Sequence, residues 1–227
     1  MGIFSLLKLR KANELYASGD IEGALKVYEE AVESGLKDVR QLLTYSVLLI
    51  RNGQFQKARE LLIKIQKLSM TDEQRAQLLV NYASCVYKMG EIDKGIELLE
   101  RQHAKQPNGM LYETLGYLYV EKGDYEKAVA FNTEALEYDD EDPITLDNLA
   151  QAYYRLGNEK EKARPYFEKA LEMKPGQIDT LYFLAQYDVE AGDKDAARQK
   201  LETALEGRFS PLNFATRDKV EEMLHSL

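Results

Sequence analysis

Cysteine, histidine and long apolar runs are scarce in this sequence, and each absence excludes a class of protein. The 227 residues include one cysteine, Cys85. A single cysteine excludes an internal disulfide and a multi-cysteine metal site, and it agrees with a reducing compartment. No apolar run approaches the roughly 18 residues of a membrane-spanning helix, and no secretory signal is expected at the N-terminus. We therefore expect a cytoplasmic protein.

The two histidines, His103 and His225, are isolated in the sequence. Neither has a His, Cys or Asp partner at metal-ligand spacing. Catalysis needs convergent titratable groups together with a nucleophile or a metal, and the sequence contains no such set. We therefore expect no enzymatic activity, no metal and no cofactor. Both histidines are expected to be structural or solvated, and Cys85 is expected to be a small buried apolar residue.

The net charge of −9 is concentrated in the second half of the chain. Residues 1–108 hold 16 Lys and Arg against 14 Asp and Glu, a net +2, whereas residues 109–227 hold 14 against 25, a net −11. Because an acidic surface repels a phosphate backbone, a nucleic-acid partner is disfavoured for the second half. A basic or amphipathic protein partner is compatible with it.

Glycine recurs at nearly constant spacing along the chain. Glycines at positions 19, 53, 90, 123, 157 and 192 are separated by 34, 37, 33, 34 and 35 residues. Each stands in a similar phrase, such as SGDIEGA, NGQFQKA or KGDYEKA. A fixed period of this length is typical of repeat architectures. Aligning these glycines as position 15 divides the chain into six repeats: 5–38, 39–75, 76–108, 109–142, 143–177 and 178–211.

Two columns of this alignment hold small residues. Position 8 holds Ala12, Ser46, Ala83, Gly116, Ala150 and Ala185, and position 20 holds Ala24, Ala58, Gly95, Ala128 and Ala197, with Ala163 one position later in the fifth repeat. Small residues let two helix backbones approach closely, and large apolar residues surround them at helical spacing. A glycine best tolerates the left-handed conformation that ends a helix. Each repeat is therefore predicted to be a hairpin of two amphipathic helices joined at its glycine.

These columns resemble the signature of the tetratricopeptide repeat (TPR) family. The fifth repeat carries most of that signature in Leu146, Leu149, Ala150, Tyr153, Ala163, Phe167, Ala170 and Pro175. The resemblance covers roughly residues 5–211. It implies an all-α fold, a right-handed superhelical solenoid of six helix-turn-helix repeats that forms a single domain over residues 1–227. After Pro211, apolar residues at helical spacing predict a capping helix over about residues 212–226.

Some residues depart from the family pattern. Asn132 and Asp188 are polar where the family buries apolar side chains. Burying an unpartnered polar group costs about 1–3 kcal/mol, so both are expected to be hydrogen-bonded or displaced toward solvent. Thr71 and Gln74 predict a capping box that starts a new helix after the long second repeat.

In this family the first helix of each repeat lines the concave face, so the resemblance implies where a partner would bind. The predicted contact residues are Tyr87, Glu113, Tyr117, Asp147, Asn148, Gln151, Tyr154, Tyr182 and Gln186. Tyrosine provides a large, stiff surface with a hydroxyl at its tip, and carboxylates select for charge. The carboxylate clamp that some members use for C-terminal peptides lacks its basic residues around Asn81 and Asn148. A basic or aromatic-bearing segment is therefore a better ligand hypothesis than a free C-terminus.

The sequence thus predicts a non-catalytic protein-protein interaction scaffold that binds a peptide or helical segment of a partner in the concave groove. Tyr117, Tyr154 and Tyr182 are predicted to hold the segment, and Glu113 and Asp147 to orient it. Two alternatives stay open: self-assembly into a homo-oligomeric TPR frame, and an enzyme with a cryptic site. Membrane contact by the basic and apolar stretch GIFSLLKLRK is not expected, because that stretch continues directly into the first hairpin.

Overall fold

In the computed structural model, the backbone is described for residues 3–227 and the side chains for residues 9–227. These residues form α-helices, one π-helical turn and no β-strand. The helices are α1 Ile3–Ala17, α2 Ile21–Glu33, α3 Val39–Arg51, α4 Phe55–Ile65, α5 Asp72–Lys88, α6 Ile92–His103, α7 Gly109–Lys122, α8 Tyr125–Tyr138, α9 Pro143–Gln151, α10 Lys160–Met173, α11 Ile178–Ala191, α12 Lys194–Glu206 and α13 Arg217–Ser226. The π-helical turn, Ala152–Leu156, continues α9. The predicted all-α fold class is confirmed. The expectation about membrane contact concerns a stretch whose side chains lie mostly outside the described residues.

The helices fall into two compact units, residues 1–99 and residues 100–227. The first unit holds α1 to α5 and most of α6, and the second holds the end of α6 and all of α7 to α13. Consecutive helices pack as pairs, α1 with α2 and α3 with α4 in the first unit. In the second unit α7 packs with α8, α9 with α10, and α11 with α12. These pairs are the hairpins predicted from the glycine period, while the single domain over residues 1–227 stays a prediction.

A left-handed glycine follows the first helix of most hairpins. Gly19, Gly53, Gly90, Gly123 and Gly192 have φ between 71° and 89°. A glycine reaches these angles without the steric cost that a Cβ would bring.

The fifth hairpin does not follow this prediction. Gly157 has a φ of −85°, and the left-handed residue is Asn158 with a φ of 53°. The π-helical turn before Gly157 holds one more residue per turn than an α-helix, so the left-handed position moves one residue along the chain. A Cβ at Gly157 would lie 2.6 Å from Cε2 of Tyr125, so a larger residue there would require the Tyr125 ring to shift.

The small residues of the two predicted columns lie buried between paired helices. A Cβ on Gly95 would lie 3.2 Å from the backbone oxygen of Ala83, because α5 and α6 approach closely there. A Cβ on Gly116 would overlap the buried side chain of Asn132. The amide of Asn132 donates hydrogen bonds to the backbone oxygens of Ala128 at 2.8 Å and Gly116 at 3.3 Å. The amide nitrogen of Asn132 is therefore hydrogen-bonded, as expected, whereas its Oδ1 has no partner among the described residues, and Gly116 provides the room for the side chain.

The other two departures from the family pattern are also satisfied. Asp188 accepts a hydrogen bond of 2.6 Å from Nζ of Lys200, in an ion pair within the α11–α12 hairpin. Thr71 and Gln74 form the predicted capping box at the start of α5, each side chain bonding the backbone N–H of the other residue.

The predicted capping helix covers the last hairpin but begins later than expected. Its apolar side chains pack against the core of α11 and α12: Val220, Met223, Leu224 and Leu227. It begins at Arg217 instead of about residue 212. The chain before it is held in a turn, because the N–H of Asn213 donates to the backbone oxygen of Ser210 with Pro211 at the second turn position. We call residues 207–216, which join α12 to α13, the connecting segment.

Candidate partner-binding site

The first helices of the second unit lie next to one another and form one surface. The amide of Asn148 in α9 donates a hydrogen bond of 2.9 Å to the backbone oxygen of Glu113 in α7. The hydroxyl of Thr180 in α11 donates one of 2.6 Å to Oδ1 of Asp147 in α9. We call the surface formed by α7, α9, the π-helical turn and α11 the first-helix face.

Three predicted contact residues are buried behind this face. Asp147, Asn148 and Gln151 are 5%, 3% and 2% exposed, which differs from the solvent-facing position that the family pattern implies for a contact residue. Besides its bond from Thr180, Asp147 accepts a bond of 2.6 Å from Nε2 of Gln151. Gln151 in turn accepts one of 2.8 Å from Arg155. These side chains join neighbouring helices, so they support the face from within.

Tyr154 is partly built into the core beneath the face. Its ring lies 5.0 Å from Phe183 and 5.6 Å from Tyr187, measured between centroids. Its hydroxyl donates a bond of 3.0 Å to Oε1 of Gln186, another predicted contact residue. Both side chains are half-buried. Tyr154 and Gln186, which are both predicted contact residues, therefore lie together, but mainly as a contact between α11 and the π-helical turn.

Tyr182 and Tyr117 stand on the face itself and are half-buried there. The ring of Tyr182 makes an edge contact with Phe183 at 5.7 Å. Tyr87 belongs to the first unit, where Nζ of Lys88 lies 4.6 Å from its ring centroid.

Burial changes the acid-base properties of the carboxylates around the face. Burial raises the pKa of Glu113 to about 7, and the negative charge of Asp142 adds to the effect. Burial also raises the pKa of Asp147 to about 7, with the charge of Asp179 as the second cause. The pKa of Asp179 is raised by burial as well, although hydrogen bonds from the backbone of Ala215 oppose the shift.

The connecting segment crosses this face. The hydroxyl of Tyr117 donates a hydrogen bond of 2.8 Å to the backbone oxygen of Leu212. The carboxylate of Asp179 accepts bonds from the backbone N–H groups of Phe214 at 3.3 Å and Ala215 at 2.8 Å, and from the amide side chain of Asn213 at 3.3 Å. The face therefore holds a non-helical, turn-containing piece of polypeptide through its backbone.

An aromatic stack holds the same segment through its side chain. The ring of Phe214 stacks on Phe183 with centroids 5.2 Å apart and planes 19° apart, and Phe183 stacks on Phe167 at 5.0 Å and 15°. Cζ of Arg155 lies 4.0 Å from the ring centroid of Phe214, and Nζ of Lys219 lies 3.8 Å from it. A cation over an aromatic face is attracted by the ring quadrupole. Arg155 is held in place by a 2.7 Å ion pair with Glu121, in which both side chains are mostly buried.

The contact residues predicted from the sequence thus omit several that hold the segment. Asp179 and Phe183 are missing from that set although they stand on a first helix, and Phe214 is missing because family positions do not locate a non-helical segment. Arg155 stands at a concave-face position of the family pattern. The available signal is the interruption of helical spacing over residues 207–216, which contain Pro211.

The remaining chemistry-bearing side chains are used in packing. Cys85 is buried, as expected, and burial raises the pKa of its thiol to about 12. The ring of His103 makes edge contacts with Tyr112 at 4.5 Å and Phe131 at 5.3 Å. Within the described residues, His, Cys, Asp and Glu form no group of three or more that could hold a metal ion. Among the described helices, none combines the length and apolarity needed to cross a membrane.

Two protein families have models that match this chain. The model described as "Anaphase-promoting complex, cyclosome, subunit 3" matches residues 17–102. The model described as "Tetratricopeptide repeat" matches residues 113–178. These residues cover most of α7 and all of α8, α9 and α10.

Curated relatives are also repeat proteins. The chain is 26% identical over 229 residues to the TPR repeat-containing protein YpiA of Bacillus subtilis, covering 87% of this chain and 54% of that protein. It is 26% identical over 178 residues to the tetratricopeptide repeat protein 1 of Schizosaccharomyces pombe, covering 68% of this chain and 17% of that protein. The chain therefore spans about half or less of the length of these two relatives.

Solved structures share the fold. The APC/C hetero-tetramer Cut9-Hcn1 superimposes with a TM-score of 0.69 at 15% identity, covering 98% of this chain and 42% of that chain. A thermophilic TPR protein of Thermus thermophilus superimposes with a TM-score of 0.53 at 19% identity, covering 98% of this chain and 97% of that chain. At these identities the likeness concerns the fold alone.

Proposed function

Because the chain is a tetratricopeptide repeat protein, we propose that it is a non-catalytic scaffold that binds a segment of a partner protein on its first-helix face. Proteins of this family generally mediate protein-protein interactions and assembly. The observation that supports this proposal is that the face already holds a non-helical polypeptide, the connecting segment, by its backbone and by one aromatic side chain.

The chemistry of the face suits recognition of a peptide. Tyr117 offers a hydroxyl to a backbone oxygen, and Asp179 offers carboxylate oxygens to backbone N–H groups. Backbone bonds of this kind supply affinity, whereas a pocket for a side chain supplies specificity. Phe183 and Tyr182 supply the aromatic surface beside them, and aromatic residues often dominate the binding energy at interfaces. Residues 109–227 carry a net charge of −11 from 14 basic and 25 acidic residues, which supports a protein partner over nucleic acid.

Affinity capture with a matched pair of variants tests this proposal. The face variant, Tyr117→Ala with Tyr182→Ala, removes two half-buried rings from the first-helix face. Tyr154 is left intact, because its ring packs against Phe167 and Phe183 and its loss would weaken the core. The control variant, Tyr138→Ala with Met173→Ala, removes two exposed side chains from α8 and α10, outside this face.

A partner of the face should be retained by the native chain and by the control variant, and lost with the face variant. Helical circular dichroism must first show that both variants are folded. Retention of the same protein by all three chains would place binding elsewhere and contradict the proposal.

Self-assembly is the second candidate function. It is supported by the same observation, since a face that holds a segment of its own chain offers the same contacts to that segment in a second copy. Light scattering at micromolar concentration separates the candidates, because a strictly monomeric mass removes self-assembly.

For the scaffold we propose a cytoplasmic location, in keeping with the free thiol of Cys85.

A further inference from the structure

We infer that the connecting segment is an internal occupant of the first-helix face, and that the partner is a non-helical segment carrying an aromatic residue directly after an amide residue. Partner and connecting segment would compete for the same contacts. This inference rests on the proposed function and adds the chemistry of the ligand to it.

The connecting segment contacts three successive first helices or their extensions. Leu212 contacts Tyr117 of α7, Phe214 contacts Arg155 of the π-helical turn, and Ala215 bonds Asp179 of α11. A loop that only joined α12 to α13 would have no need to reach α7, which lies 95 residues earlier at Tyr117. The segment therefore follows a path across the face that a peptide ligand could follow.

Part of the recognition is independent of the occupant's sequence. Two of the donors to Asp179 are backbone N–H groups, those of Phe214 and Ala215, and the acceptor for Tyr117 is a backbone carbonyl. Any segment that adopts the same turn and bend can offer these groups. A segment with proline at the position of Phe214 or Ala215 would lack a donor.

The other part selects side chains. The amide of Asn213 donates to Asp179, which favours an amide donor at that position. Phe214 lies between the ring of Phe183 and the cations of Arg155 and Lys219. Two nearby cations favour an aromatic ring there and repel a basic side chain. The sequence predicts a ligand segment that is basic or bears an aromatic residue. These contacts favour the segment that bears an aromatic residue.

Residues 209–214 of the segment are partly exposed and belong to no helix, whereas Ala215 is fully buried in the α11–α12 core. Release from the face therefore concerns residues 209–214. The helix after them is anchored separately, since Val220 is fully buried against the α11–α12 core and Arg217 bonds the backbone oxygen of Leu205. Because both ends are tethered, the segment has a high effective concentration at the face and lowers the apparent affinity of any competitor.

Fluorescence anisotropy with a synthetic peptide tests this inference. The probe is a labelled peptide with the sequence of residues 207–216, GRFSPLNFAT, and the control peptide has alanine at the position of Phe214. Both are titrated with the native chain and with the full-length variant Phe214→Ala, which loosens the internal occupant but leaves α7, α9 and α11 unchanged. We expect the variant to bind the probe at least about tenfold more tightly than the native chain, because a larger fraction of its faces is open. The control peptide should bind the variant about tenfold more weakly than the probe, since it lacks the stacked ring.

A second variant keeps the test decisive if Phe214→Ala does not fold. Asn213→Asp replaces the donor 3.3 Å from Oδ2 of Asp179 by a second carboxylate, so the segment is repelled while Phe214 is retained. This variant should also bind the probe more tightly than the native chain. The inference is overturned if the folded variants bind the probe no better than the native chain, or if the control peptide binds as well as the probe.

The two proposals fail in different ways. If the peptide does not bind but partner capture still depends on Tyr117 and Tyr182, the scaffold function stands and this inference is wrong. If the peptide binds but partner capture does not depend on Tyr117 and Tyr182, the proposal that a partner binds on the first-helix face is wrong.

Discussion

The hydroxyl of Tyr117 donates a 2.8 Å hydrogen bond to the backbone oxygen of Leu212, 95 residues later in the chain. The bond joins α7, at the start of the second unit, to the segment that precedes its last helix. It means that the tyrosine chosen from the repeat pattern as a ligand contact does contact a non-helical polypeptide, and that this polypeptide belongs to the same chain.

Removing this hydroxyl should measure how firmly the connecting segment is held. Tyr117→Phe keeps the ring and loses the bond to Leu212, so the free energy of unfolding should fall by about 0.5–1.5 kcal/mol. Tyr138→Phe, whose residue is 56% exposed, is the matched control and should change little. Urea denaturation followed by circular dichroism gives both values. Equal stability of the two variants would mean that the Tyr117 bond contributes nothing measurable.

The pKa of Glu113 predicts a pH-dependent stability. Its pKa is about 7 in the folded chain against an ordinary value of 4.5, so the folded state holds a proton that the unfolded state releases earlier. The stabilisation that this group provides is present below about pH 4.5 and is lost as the pH rises through about 7. Glu113→Gln removes this loss, so the variant should gain stability relative to the native chain between about pH 5 and about pH 8.

Urea denaturation at several pH values across that range checks the prediction for Glu113. The exposed Glu137→Gln serves as control for a general change in net charge. A stability difference between native chain and Glu113→Gln that stays constant with pH would contradict the proposed effect of burial.

The close approach of Gly116 and Asn132 predicts that substitutions at these two residues have coupled effects on stability. Alanine is usually about 1 kcal/mol better than glycine within a helix, yet Gly116→Ala should destabilise by about 1–3 kcal/mol because its Cβ overlaps the Asn132 side chain. In a chain that already carries Asn132→Ala, the same change should cost much less, with a coupling of about 0.5–3 kcal/mol. A double-mutant cycle by urea denaturation measures this coupling. Additive effects would show that the two residues do not compete for space.

Asn158 should tolerate glycine better than a β-branched residue. Its φ of 53° is left-handed, a conformation that costs most residues about 1–2 kcal/mol. Asn158→Val should therefore lower the melting temperature, whereas Asn158→Gly should leave it nearly unchanged or raise it. Equal melting temperatures for the two variants would mean that the turn relaxes around the new side chain.

Much of the fold could be predicted from the sequence because the repeats share one local pattern of glycine and small residues. A glycine at intervals of 33 to 37 residues and small residues at two fixed columns indicate close-packed hairpins, and the helices appear at those places. The prediction failed at Gly157, where the π-helical turn moves the left-handed position to Asn158. The glycine period gives no sign of the added residue, since its spacing already varies from 33 to 37, but Ala163 follows its glycine by six residues where the other repeats have five.

The candidate site could be predicted only in part. The family positions select first-helix residues, and Tyr117 and Tyr182 do stand on the first-helix face. Position within a repeat does not determine whether a polar side chain faces solvent or a neighbouring helix, however. Asp147 and Gln151 are buried because Thr180 and Arg155 provide partners for them.

The repeat period in the sequence determines which parts of the chain lie next to one another in stacked hairpins. Asn148 bonds Glu113 across 35 residues, and Arg155 bonds Glu121 across 34, because stacked copies of one hairpin bring equivalent positions together. The path of the connecting segment, in contrast, depends on the packed helices. A segment without helical period has no preferred partner in the sequence, since the donors, acceptors and rings that hold it come together only after the helices have packed. The contacts of Phe214 with Phe183, Arg155 and Asp179 therefore belong to the assembled unit and to no local pattern in the chain.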